Sequence, residues 1–145
     1  MKTKFSEILK VKKQKVFEIE QKLASKRAEK EILLTQIAQI LSKIKNFSFP
    51  EEGSFSTLKS ARYNLEYLYK DKEQKENMIR YFDQEIDKLN ILYKEANIEY
   101  EKIKHLHKVE EEMILQKLLK EESKRMDEIA NQLFIRKKLA KSDHE

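Results

Sequence analysis

Pro50 and Gly53 are the only proline and the only glycine in this chain, and both lie in one short stretch, Asn46-Phe47-Ser48-Phe49-Pro50-Glu51-Glu52-Gly53-Ser54. Glycine ends helices because ordering it costs backbone entropy. Proline ends them because it lacks the N–H and clashes with the preceding turn. With every breaker confined to one place, the chain reads as two very long helices and one connection. The pattern predicts a single all-α hairpin: a first helix over about 3–46, a turn over about 47–54, a second helix over about 55–140 and a frayed tail over 141–145.

Both arms carry heptads. Stepping alternately four and three residues from Phe5 gives Phe5, Leu9, Lys12, Val16, Ile19, Leu23, Lys26, Lys30, Leu33, Ile37, Ile40, Ile44 and Phe47, ten of thirteen apolar. The same stepping from Leu58 gives Leu58, Ala61, Leu65, Leu68, Lys72, Lys75, Ile79, Phe82, Ile86, Leu89, Tyr93, Ala96, Tyr100 and Ile103, twelve of fourteen apolar or aromatic. A straight helix drifts ~20° per heptad, so a strict seven-residue repeat calls for a partner helix that supercoils with it. The turn supplies that partner in antiparallel orientation. Paired residues of an antiparallel hairpin have a nearly constant number sum, and a sum near 102 sets Ile44 against Leu58, Leu23 against Ile79 and Leu9 against Tyr93. It also sets Lys30 against Lys72 and Lys26 near Lys75. That coincidence of polar positions selects the register and predicts a hydrated weak point whose lysine stems cover the seam while the heads reach water.

In this register the first helix runs out opposite Ala96, while the second continues. At 1.5 Å per residue the two helices measure about 65 and about 130 Å. The overhang, residues 100–140, keeps an apolar stripe: Leu106, Val109 and Met113, a one-residue phase slip, then Leu115, Leu119, Met126, Ile129 and Leu133. An amphipathic stripe without an intrachain partner is a docking surface or a dimer seam.

Composition excludes more than it assigns. Charged residues make up 39% of the chain and tryptophan is absent, which leaves little for a globular core. Disordered chains are as polar, but they lack a regular apolar repeat. Without cysteine there is no disulfide framework and no thiolate metal site. Six lysines among the first fifteen residues, with no apolar run, predict no signal peptide, and no run approaches the ~20 residues of a membrane span. Residues 1–46 hold 12 Lys and Arg against 5 Asp and Glu, a net +7, whereas residues 47–145 hold 19 against 21, a net −2. The basic arm suits a solvated coiled-coil face or an anionic partner.

Motifs for chemistry are missing. One glycine cannot build a phosphate loop. His105 and His107, two apart on a helix, point in different directions, and Glu101 with His105 at i, i+4 is a common solvated pair. No catalytic residue, metal ligand or cofactor site is expected. Nucleic-acid binding is not expected either, because basic-region proteins fork from parallel dimers and Tyr63, Tyr67 and Tyr69 lie away from most of the basic excess.

One family pattern does surface. Tyr100-Glu101-Lys102-Ile103-Lys104, then Lys124-Arg125-Met126-Asp127-Glu128-Ile129-Ala130 and Arg136, resemble the C-terminal signature of the flagellar export protein FliJ family. The length, Phe5 with Ile8-Leu9-Lys10-Val11-Lys12, the turn near one third of the chain and the stretch Tyr63 to Gln74 are also similar to that family. The resemblance implies a non-enzymatic antiparallel coiled coil of the cytoplasmic flagellar type III export apparatus, peripheral at the basal body. Such a stalk inserts into the hexameric export ATPase ring and links it to the membrane export gate. Family members also handle export chaperones. On this reading Phe5, Lys12 and Lys13 with Met126, Ile129, Leu133 and Arg136 meet the ATPase ring, and Tyr63, Tyr67 and Gln74 meet the gate. A monomer is expected. A chaperone or substrate adaptor, or a structural homodimer, remain the alternatives.

Overall fold

The computed structural model describes residues 2–143. It contains two helices, α1 (Ser6–Lys45) and α2 (Phe55–Asp143), and no strand among the described residues. Their ends follow from local chemistry. Thr3 opens α1 by accepting the Phe5 N–H at 3.1 Å, while its own N–H donates to Ser6 Oγ at 2.8 Å. Ser54 caps α2, its carbonyl accepting the Thr57 N–H at 3.0 Å. A Cβ at Gly53 would stand 3.2 Å from Thr57 Cβ, so this cap needs glycine before it.

The chain divides into two compact units, residues 13–98 and residues 1–12 with 99–145. In the first, α1 and α2 pack antiparallel through the two rows read from the heptads. Val16, Ile19, Leu23, Leu33, Ile37, Ile40 and Ala96 are its buried core, with Leu23 and Ile40 at 5% exposure. Across the whole chain all thirteen positions of the first row are buried or half-buried, and of the fourteen in the second only Leu58 is exposed. No side chain in this core exceeds a single layer of cover, as a two-helix interface must leave every residue near solvent.

The register differs from the expected one. Lys30 Nζ meets Asp83 Oδ1 at 2.6 Å, Arg27 Nη2 donates to Asn90 Oδ1 at 3.4 Å, and the Lys26 ammonium lies 5.2 Å from the centre of the Phe82 ring. These number sums, 113, 117 and 108, centre near 112 rather than 102. At 112 the four-three spacing of α1 is matched by the reversed spacing of α2 at every step, Val16 with Ala96, Ile19 with Tyr93, Leu23 with Leu89, through to Phe47 with Leu65. A sum of 102 holds only by alternating with 101.

Two things make room for this. Residues 47–50 form neither helix nor tight turn, with Phe47 and Phe49 stacked edge to face at 5.2 Å, so the connection climbs along α2 instead of reversing at once. Lys45 then stands level with residue 67, and the first three turns of α2 have no α1 opposite them. The lysines, moreover, do not need one another. Lys72 pairs with Glu76 at 3.2 Å and Lys75 with Asp71 at 2.7 Å, each four residues away on its own helix. The layer of four lysines is therefore not formed; Lys72 and Lys75 fall level with Ile40 and Ile37.

In the unit of residues 1–12 with 99–145, the row of α2 continues in phase through Ile103, His107, Glu110 and Ile114, all half-buried. Thr3 Oγ1 lies 2.8 Å from His107 Nδ1, and the other ring nitrogen of His107 pairs with Glu111. The start of α1 is thus fastened beside His107, beyond the expected end at Ala96. Leu106, Val109 and Met113, expected to begin the overhang stripe, are exposed one residue away from this row.

Candidate interaction surfaces

Continued beyond Ile114, the hairpin row reads Lys117, Glu121, Lys124, Glu128 and Asn131, which offers another helix nothing apolar to cover. The apolar row sits one to two residues round, at Leu115, Leu119, Met126, Ile129 and Leu133. An offset of one to two residues is ~100–200° of helix, so the apolar face of the overhang is turned away from the face that α1 grips. Every residue from Leu115 to Lys141 is exposed. Met126 is 62% and Phe134 66% exposed, and Ala130, Leu133, Phe134, Arg136, Lys137 and Ala140 line a shallow groove.

The expected ATPase-facing residues split. Met126, Ile129, Leu133 and Arg136 share this row. Phe5 and Lys12 are half-buried in the seam between α1 and α2 instead. Phe5 falls level with His107, and the distance from there to Met126 is about 28 Å along the helix. The two sets are separate patches. Lys13 belongs to the other compact unit, where its side chain is exposed. Phe134 and Leu139 were not singled out from the sequence, although their exposure matches that of Leu133.

In the unit of residues 13–98 the three expected gate residues share the outward face of α2. Tyr67 and Gln74 are one heptad apart and Tyr63 is one turn before them, all exposed, with Tyr81 one further heptad on. Lys59 lies over the Tyr63 ring at 5.7 Å, and Arg62 bonds Glu66 at 3.3 Å in a groove also lined by Phe55 and Leu58.

A second feature of this unit is a difference between its two flanks. On the flank bridged by Arg27 and Asn90, the residues that follow the seam positions include Leu34, Leu41 and Tyr69, all exposed. The opposite flank carries Gln36, Lys43, Asn64 and Asp71, with Met78 its one large exposed apolar residue over this length. Leu34 and Leu41 lie within Ile32–Ser42, eleven residues without a charge in a chain that is 39% charged. That run was the available sequence signal.

Among the described residues no group of three His, Cys, Asp or Glu side chains could hold a metal. Among the described residues no helix is long and apolar enough to cross a membrane. The side chains present exposed apolar rows edged by cations.

The family model described as flagellar FliJ protein matches residues 1–139. No curated protein and no solved structure matches the chain.

Proposed function

The chain belongs to the flagellar FliJ protein family, which gives it a part in flagellar protein export, and from that premise we propose that it is the stalk that joins the export ATPase ring to the membrane export gate. The observation that carries this reading is the overhang, exposed at every residue from Leu115 to Lys141 and apolar along Met126, Ile129 and Leu133. A folded helix that leaves such a row bare has a partner for it.

The ring takes Met126, Ile129, Leu133 and Arg136; Phe5 and Lys12 lie in the seam with α2 and outside that row, and are not assigned to the same contact. The gate takes the outward face bearing Tyr63, Tyr67 and Gln74, together with the apolar flank of Leu34, Leu41 and Tyr69. Exposed tyrosines beside apolar side chains are typical of protein-contact surfaces, since they contribute large area at little conformational cost. Neither role calls on bond chemistry. Export chaperones would compete for the same exposed rows.

Replacing Ile129 and Leu133 together by Asp tests the reading. Both are exposed, so circular dichroism should stay unchanged while association with the purified export ATPase is lost. Retained association would remove the assignment.

A further inference from the structure

The alignment of the two helices is not the one their apolar rows alone would choose. Sliding α1 by one heptad, to a number sum of 105, keeps every row residue opposite another, from Phe5 with Tyr100 to Phe47 with Leu58. That slip would cover Leu58, which stands 42% exposed, and Ala61, and would uncover only Ile103 and His107. It would also bring the end of α1 about 10 Å nearer the start of α2. The cross-helix pairs do not oppose it. Seven residues before Asp83 stands Glu76, and seven before Asn90 stands Asp83, so Lys30 and Arg27 would each find a carboxylate. Lys30 would come level with Lys75, whose ammonium already has Asp71 at 2.7 Å. A slip the other way, to 119, is closed by chemistry, since it would set Lys12 against His107 and Leu9 against Glu110.

The opposing hold is at the start of α1. Glu111, four residues on along α2, accepts from His107 Nε2, which keeps the imidazole proton on that nitrogen and leaves Nδ1 to accept. Thr3 Oγ1 supplies that hydrogen bond at 2.8 Å while itself accepting the Phe5 N–H at 3.1 Å. The donors run in one direction, from Phe5 through Thr3 and His107 to Glu111. The His107 side chain is only 17% exposed, so losing Thr3 would cost it a partner that water does not freely replace. After a slip to 105, Thr3 would face Tyr100 and Lys104 in place of His107 and Glu111, and the chain of donors could not form. Since α1 and α2 are each continuous helices, a hold at one level acts on every level. We propose that Thr3, His107 and Glu111 are a register lock, which keeps the hairpin one heptad away from the alignment its apolar rows favour and, when opened, lets α1 slide by about 10 Å. Polar seam residues trade stability for a unique alignment in this way.

The chain has no cysteine, so engineered pairs report the alignment far from the lock. Leu33→Cys with Ile79→Cys are level at a sum of 112, and Leu33→Cys with Lys72→Cys at 105; oxidation joins whichever pair comes within disulfide reach. In the otherwise unchanged full-length protein the first pair should crosslink and the second should not. Adding His107→Leu, or separately Thr3→Val, should raise the second crosslink by about tenfold, the effect of one or two hydrogen bonds on an equilibrium between alignments. The melting temperature of His107→Leu, followed by circular dichroism, should not fall, since leucine adds an apolar residue to the seam. His107→Gln and Thr3→Ser retain the donor and acceptor pattern and should crosslink as the parent does. Strong crosslinking of the second pair in the parent overturns the lock. So does an unchanged second crosslink in both His107→Leu and Thr3→Val, or a slip in the two conservative variants as large as in these. A fall in melting temperature without a change in crosslinking makes the contact one of ordinary packing and overturns the lock as well.

Discussion

Lys72 sits in the seam at 29% side-chain exposure, level with Ile40, and solves its burial by turning its ammonium to Glu76. Exposed helical pairs of this kind contribute about 0.3–0.5 kcal/mol. A leucine at the same position would cover apolar surface with a gain of roughly 1 kcal/mol once the remaining exposure is allowed for. Lys72→Leu is therefore expected to raise the melting temperature by about 2–4 °C in a thermal scan followed by circular dichroism. At this scale the seam was legible and its pairing was not. Every seam lysine was identified from the heptads, but lysine was matched to lysine across the hairpin. Glu76 and Asp71, four residues from Lys72 and Lys75, were visible in the sequence and made that match unnecessary. Lys30 finds its carboxylate across the interface at Asp83 instead, a pairing that depends on the register and so could not be read beforehand.

Between helices, the same seven-residue spacing fits several registers, which is why the two rows were predictable and their alignment was not. The deciding facts are the open connection and the cross-helix pairs of Lys30 and Arg27. Register in turn determines which flank residues stand together. Leu34 and Leu41 were visible as apolar residues outside the seam, but Tyr69 joins their flank only through α2. Substituting Leu34 and Leu41 by Glu leaves the buried rows untouched and should cost less than about 1 kcal/mol of stability. On the proposed gate contact, binding to a purified export-gate protein, measured by titration calorimetry, should weaken by at least tenfold. An unchanged affinity would return the gate contact to Tyr63, Tyr67 and Gln74 alone.

For the molecule as a whole, the open question posed by an uncovered apolar row is why two copies should not pair through it. The row Leu115, Leu119, Glu122, Met126, Ile129, Leu133, Arg136 and Ala140 is interrupted twice by charge. A parallel dimer would stack Glu122 on Glu122 and Arg136 on Arg136, and like charges in such positions select against the pairing. The expected monomer is checked by sedimentation equilibrium, where a mass of 17.5 kDa across the micromolar range supports it and a concentration-dependent rise in mass would restore the dimer. The exposed overhang was legible as a surplus of helix, but its starting point was misplaced because the register was.

The irregular stretch after α1 carries one more meaning. Since the two rows mesh equally well at steps of seven, the slack between Lys45 and Phe55 acts as a vernier: a connector shorter by one heptad would slide the clasp along α2, shortening the free length ahead of it and lengthening the free length behind by the same ~10 Å. Free length at one end of α2 is thereby exchanged for free length at the other, and the tuning resides in the connection between the helices.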